Sequence, residues 1–331
     1  MSGFWWYLLL FLILLLLINL YFRLAKWFRI VDEPNERSSH QHPTIGGAGV
    51  IIYISWLIFF LQSGISFSWF FLGATIIAIV SFLDDIIHVP TIGRILAHLI
   101  GVLCLLMQIG AMSMDYWVIL IYIIMMIGTL NAFNFMDGIN GITGIYSLVT
   151  VATLWYINQN VEFIINTDLI LYTLLSLSVL GIYNFRNTAI CFPGDIGSVA
   201  AAFLIIFLIG KLILSTGNYI FILLLAVYGV DSVLTIIHRL MKKENIFRAH
   251  RSHLYQYYAN IVGANHLKIS LVYGLIQVFT NFVILYNYQF LQLNSYLIAT
   301  LILSILGISY IYLKYTLEQR LRQAPQNPNN N

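Results

Sequence analysis

Two carboxylates stand side by side at Asp84 and Asp85, closing the run Ser81-Phe82-Leu83. Like charges that close repel and raise one pKa unless a cation or an arginine offsets them, so the pair suits metal binding or general-base work. Arg94 and His98 follow, four residues apart and so on one face of a helix, placed to meet a phosphate or to anchor the helix among headgroups. In Asn131-Ala132-Phe133-Asn134-Phe135-Met136-Asp137-Gly138 two amides and a carboxylate recur at every third position, ahead of Gly141 and Gly144. A lone Asn in a membrane is commonly interhelical glue, whereas this series on one helical face describes a lined polar site with close backbone approach. Phe192-Pro193-Gly194-Asp195-Ile196-Gly197-Ser198 aims one carboxylate at the start of an apolar run, beside an aromatic ring able to stack on a nucleobase. Asp195 suits a hard cation that also holds substrate phosphates, or, more plainly, a helix N-terminus. The stretch Arg248-Ala249-His250-Arg251-Ser252-His253 is dense enough in cations and imidazoles to clamp a pyrophosphate or to meet anionic lipid. Zinc is disfavoured, because no cysteine is near. A further polar loop, Asp32 to Gly49, holds Ser38, His40, His42, Pro43 and Thr44 before Gly46-Gly47.

The elements that must carry these groups are set by composition. The chain has 331 residues, of which 60% are hydrophobic and 9% charged, far below the roughly one quarter charged in soluble domains. Apolar runs lie at about 4–26, 45–62, 69–83, 95–112, 117–133, 141–158, 168–183, 198–215, 219–237, 267–287 and 295–313, and in lipid each must be helical to satisfy its backbone. The expected fold is therefore all-α and polytopic, about eleven spans, forming one membrane domain over residues 1–322 with a disordered Asn/Pro/Gln-rich tail over 323–331. Phe4 to Leu20 lacks the basic n-region and cleavage site of a secretory signal and is followed by Arg23, Lys26 and Arg29, the order of a retained first helix with its N-terminus outside. With that orientation the expected external loops carry no lysine or arginine, and Lys211, inside the eighth run, is the one misplaced cation. Asp84, Asp85, Asp137 and Asp195 then fall at the cytoplasmic ends of three spans, while Asp115, Glu162 and Asp168 lie outside. A formal charge of +3 gives no reason to expect nucleic acid as a partner. Cys104 and Cys191 lie in an apolar run and an expected cytoplasmic loop, a placement that argues against a disulfide.

A transporter of an anionic or lipid-linked substrate is the main rival among other classes, since intramembrane polar residues often mark substrate paths. It calls for charges near mid-membrane and for a pseudo-repeat; Asp231 and Lys211 are the charges available, and no repeat is visible.

Taken in order, Asp32-Glu33-Pro34-Asn35, Pro43-Thr44-Ile45-Gly46-Gly47, Asp84-Asp85, the Asn131 to Gly144 run, Phe192 to Ser198, Asp231 and the histidine segment resemble the polyprenyl-phosphate N-acetylhexosamine-1-phosphate transferase family. The likeness covers about 32–256. It implies transfer of a sugar phosphate from a cytosolic UDP-N-acetylhexosamine to undecaprenyl phosphate at the bacterial inner membrane, with magnesium, or manganese in its place, and release of UMP. By that resemblance Asp195 is the metal ligand, and Asp84 and Asp85 orient or deprotonate the lipid phosphate. Asp137 and His253 join them as catalytic residues, and Phe192 stacks on uracil. Thr44, Asn131, Asn134 and Asn184 line the substrate side, Arg94 approaches a phosphate, and His250 and Arg251, with His253, hold the diphosphate or sugar. Asn140 stands where many members carry a second Asp, Pro193 replaces the usual Met, and His98 occupies a common Gln position. His-Leu-Tyr-Gln at 253–256 replaces a more histidine-rich form and resembles the branch that starts O-antigen or capsule-type glycans. The sugar is left open, and so is the oligomeric state, a homodimer included.

Overall fold

The computed structural model describes residues 3–33, 42–245 and 250–323; Ser38, His40 and Arg248 lie outside the described residues, as does the expected tail beyond Gln323. In chain order the helices are α1 (Gly3–Phe28), α2 (Val50–Gln62), α3 (Ser68–Ile87), α4 (Thr91–Ile109), α5 (Tyr116–Met136), α6 (Ile142–Asn160), α7 (Thr167–Asn184), α8 (Gly194–Thr216), α9 (Ala226–Met241), α10 (Leu254–Asn260), α11 (His266–Tyr286) and α12 (Ser295–Gln323). Every apolar run expected to be a span contains a helix, the 45–62 run only from Val50 onward. Nine helical segments among the described residues are long and apolar enough to cross a membrane. The other two apolar runs are α2, a shorter helix of 13 residues, and α6, whose Thr, Ser, Asn and Gln content dilutes its hydropathy.

Helix α8 is the axis of the bundle. Of its apolar window 94% is buried, against 6% for α12, because its sequence is apolar on every side. Ala200, Ala201 and Ala202 on α8 are fully or almost fully buried, small residues of the kind that let helices approach closely where lipid offers no hydrophobic drive. Helices α3, α5 and α6 pack directly on it, and α4 packs mainly on α3, α7 on α6 and α2, and α11 on α6. Ahead of α9, Tyr219–Leu225 is wound as a tighter 3-10 helix. Gln277 of α11 holds that change of pitch, donating to the Leu223 carbonyl at 3.0 Å and accepting the Val227 N–H at 3.1 Å.

One end of this bundle collects the loops that matter for function. A two-stranded ribbon pairs β1 (Val31–Asp32) antiparallel with β2 (Thr44–Ile45), placing Asp32 opposite Thr44. The ribbon continues into the connection before α8: Phe192 N–H donates to the Ile45 carbonyl at 2.8 Å, Ala48 N–H to Phe192 at 3.0 Å and Gly49 N–H to Pro193 at 2.9 Å. A Cβ on Gly49 would overlap the Gly197 backbone, so this contact requires glycine.

Candidate active site

Asp85 of α3 and Asp195 of α8 meet at that end. Asp85, in the last turn of α3, accepts the backbone N–H groups of Asp195 at 2.8 Å and Ile196 at 3.3 Å. These are unpaired donors of the first turn of α8, and a carboxylate there meets both the hydrogen-bonding deficit and the positive end of the helix dipole. Gly194 makes the approach possible: its φ is +69°, and a Cβ would lie 2.6 Å from Asp85 Oδ2 and 2.7 Å from the Gly47 nitrogen. Asp85 therefore fixes where Asp195 sits. Its neighbour Asp84 points elsewhere, accepting from Arg94 Nη1 and from the Val89 N–H, at 2.8 and 2.6 Å. The same Arg94 nitrogen lies 3.7 Å from Asp195 Oδ2, so one guanidinium spans two carboxylates from different helices. His98, one turn further into α4, is buried with its Nδ1 unpartnered among the described residues.

Helix α5 delivers the amide side. Asn134 and Asp84 both lie against Asp195. Asn131 turns its amide nitrogen back to the Ile127 carbonyl on its own helix, at 2.9 Å. Asp137, just past the end of α5, lies beside Thr143, and its carboxyl is pushed up to about 7, chiefly by burial and then by the negative charges of Asp195 and Asp32. Asp32, read from the sequence as part of a loop motif, thus joins the acidic group through the ribbon.

Two residues expected to line the substrate side lie beneath the site. Asn184 is 2% exposed; its oxygen accepts from Gly141 N–H and its nitrogen donates to the Cys191 carbonyl, both at 2.8 Å. It ties the α5–α6 turn to the approach to α8. Thr44 is buried, its hydroxyl donating to the His42 carbonyl at 3.0 Å. Phe192 is half-buried, with its main chain held in the ribbon. Asn140 is buried, its nitrogen donating to the Arg186 and Asn187 carbonyls at 2.9 and 3.0 Å.

The histidine segment reaches the same region through Tyr255, whose hydroxyl donates to the Phe135 carbonyl at 3.0 Å, two residues before Asp137. The His250 ring lies 6.4 Å from that of Phe135 and 5.1 Å from that of His253. Burial, together with His253 and Arg239, pushes His250 down to about 4, and its Nδ1 lies 2.8 Å from the Ser252 hydroxyl. Arg251 is half-buried in the same segment. Two anchors of this segment, Tyr273 and Lys314, carried no functional reading in the sequence, and the partnership of Asp231 with His253 carried none either. His253 Nδ1 lies 3.1 Å from Asp231, Tyr273 donates to Asp231 at 2.6 Å, and Lys314 donates to the Ser252 carbonyl at 2.7 Å. The signal available was Asp231, Thr235 and Arg239 at every fourth position of α9, a polar stripe on an otherwise apolar helix.

The donors at the α8 end are oxygens, which fits a hard cation. Among the described residues no set of three or more His, Cys, Asp or Glu is arranged to hold a metal by itself. An ion there would take one or two carboxylates and leave its other positions to water and phosphate, as magnesium does beside substrate phosphates. Asp195 and Asp137, neighbours in charge, fit that description.

No curated protein matches the chain. Residues 67–213 match the model of a family described as Glycosyl transferase family 4, a stretch that holds Asp84, Asp85, Arg94, Asp137 and Asp195. With its apolar helices and its carboxylates gathered at one bundle end, the chain carries over residues 67–213 a stretch similar to glycosyl transferase family 4, which supports a membrane-bound transferase of the polyprenyl-phosphate sugar-phosphate kind.

Proposed function

We propose that the protein transfers an N-acetylhexosamine-1-phosphate from a UDP-sugar to undecaprenyl phosphate, releasing UMP and forming the lipid diphosphate that starts a surface glycan of the O-antigen type. The observation that carries this reading is the meeting of Asp195, held by Asp85, with Arg94, Asn134 and Asp137 at the bundle end where the histidine segment also lands. That end faces the cytoplasm on this reading, because Arg94, Arg186, Arg239, Lys242 and Lys243 collect there, as the positive-inside rule requires.

The chemistry joins two anions. An oxygen of the lipid phosphate attacks the phosphorus bearing the sugar, the bond from that phosphorus to the uridine-side phosphate breaks, and UMP leaves with the electron pair. Both reactants repel each other until their charge is offset. Arg94 supplies one positive group between Asp84 and Asp195, and Asp195 with Asp137 would hold magnesium, or manganese in its place. The chemistry such an ion supplies when bound is neutralisation of the diphosphate and of the charge developing on the leaving phosphate. A phosphate monoester, with its second pKa near about 6, is already largely dianionic at neutral pH and needs no strong base. Asp85, with its oxygens engaged by two N–H groups, and Asp84, paired to Arg94, are both committed to partners within the protein. This favours direct attack by the lipid phosphate over an aspartyl intermediate. Asn134 orients Asp195, and Phe192 and Arg251 contribute to donor binding. Transport is disfavoured, because Asp231 is saturated by donors from within the protein.

Purified protein with undecaprenyl phosphate, magnesium and a panel of UDP-N-acetylhexosamines releases UMP with at least one donor. Asp195→Asn removes nearly all of it. The variant tests the carboxylate and spares the fold, since Asp85 grips the main chain of residue 195 and leaves its side chain out of the cap. UMP release that persists in Asp195→Asn, or in wild type under chelator, refutes the assignment.

A further inference from the structure

Asp231 of α9 is 2% exposed and is surrounded by donors. Its Oδ2 accepts the Tyr273 hydroxyl at 2.6 Å from α11; its Oδ1 accepts the Leu254 N–H at 3.2 Å, with the Thr235 hydroxyl also at 3.2 Å and His253 Nδ1 at 3.1 Å. An ionised carboxylate offers about four acceptor sites. The Tyr273 hydroxyl and the Leu254 N–H address both oxygens as donors, as they would a carboxylate, and the histidine nitrogen facing such a group is the one that carries a proton. The tautomer of His253 is thereby decided by its partner.

The other nitrogen has nothing to bond. His253 is 2% exposed, and its Nε2 is buried without a partner among the described residues. A buried polar atom left in that state costs about 1–3 kcal/mol, a cost that a bound ligand removes. The ring packs between His250 and Tyr255, at 5.1 and 5.8 Å, and Tyr255 is tied to the α5 end that carries Asp137. With a proton on both nitrogens the ring offers two donors and no acceptor, and the ligand that matches a second donor at Nε2 is an anion.

We propose that Asp231 is a positioning residue that holds His253 with its proton on Nδ1, so that Nε2 takes up a proton from solvent and donates it in a hydrogen bond to a diphosphate oxygen of the bound nucleotide sugar. The identity of the ligand rests on the transferase reading; the tautomer does not. The charged and titratable groups around the pair are Arg239 on α9, His250 and Tyr255 on the segment itself, Tyr273 on α11, and Tyr310 and Lys314 on α12.

The test is nitrogen NMR of the full-length protein labelled with 15N-histidine, with the His253 signals assigned by their loss in His253→Gln. In the free protein at pH 7.5, His253 shows a protonated Nδ1 and an unprotonated Nε2. Saturation with UDP-N-acetylglucosamine or UDP-N-acetylgalactosamine, without lipid phosphate, converts Nε2 to the protonated form. In Asp231→Asn that conversion is lost and the nucleotide sugar binds about tenfold more weakly, the loss of one charge-assisted hydrogen bond. A free protein with the proton on Nε2 instead of Nδ1, an Nε2 signal that nucleotide sugar leaves unmoved, or an Asp231→Asn variant that titrates like wild type overturns the proposal. The wild-type spectrum decides by itself if Asp231→Asn does not fold. A wild type that shows the conversion but releases no UMP with any acceptor overturns the transferase reading and leaves the role of Asp231 standing.

Discussion

Asn140→Asp exchanges an amide for a carboxylate of the same shape at a position where many related transferases carry aspartate, and the structure predicts that it damages this protein. The Asn140 nitrogen donates to two main-chain carbonyls, those of Arg186 at 2.9 Å and Asn187 at 3.0 Å. A carboxylate offers no donor. Two net hydrogen bonds worth about 1 kcal/mol each disappear, and a buried negative charge then faces two carbonyl oxygens, adding at least another 1–3 kcal/mol of unsatisfied polar group. The expected destabilisation above pH 7 is about 3–5 kcal/mol, a large share of the roughly 5–15 kcal/mol that holds a domain folded. At pH 5 a protonated carboxyl regains one donor, so the deficit shrinks to about 1–2 kcal/mol. The turn from Asn184 to Asn187 also positions the approach to α8 through the Asn184 bond to Cys191, so UMP release falls with stability. Thermal unfolding of wild type and Asn140→Asp in detergent at pH 8 and pH 5 measures both parts. An Asn140→Asp variant that unfolds at the wild-type temperature at pH 8, or whose deficit is the same at both pH values, refutes the reasoning.

Gly194→Ala forces a side chain onto a residue at φ +69° and sets its Cβ 2.6 Å from Asp85 Oδ2; with about 1–2 kcal/mol of left-handed strain before the clash, it lowers the unfolding temperature and cuts UMP release more than about tenfold, a loss of over 1.4 kcal/mol in transition-state stabilisation. Wild-type behaviour there would show that Asp85 does not set the start of α8. Asp137 gives a pH signature in chelated protein. Its carboxyl is pushed up to about 7 in the fold, so between about pH 4 and 7 the folded state binds the extra proton, stability declines as pH rises through that window, and it levels off above it. Asp137→Asn removes this slope in unfolding temperature against pH, and a slope equal to that of wild type would place its origin elsewhere.

The helices were legible because lipid imposes a rule that the local sequence must obey. An apolar stretch in a membrane has to satisfy its own backbone, so each run from Phe4 to the last span reads as a helix before any neighbour is known. The residues of the site were legible by type for a related reason, since a carboxylate such as Asp195 or Asp84 is costly in an apolar chain and stands out where it occurs. What they do toward one another depended on distances across the bundle. Asp84 and Asp85 are adjacent and alike in sequence, yet one grips Arg94 and the other caps α8, a division made by which helix each faces. Asn184 and Asn140 read as site walls or as departures from a pattern, and became clamps only once the carbonyls of Cys191 and Arg186 came within reach. Asp231 and His253 lie 22 residues apart, and no local rule couples them. Hydrogen bonds act over about 3 Å, and the sequence reports separation along the chain, so the partners of these buried polar groups were decided by tertiary packing alone.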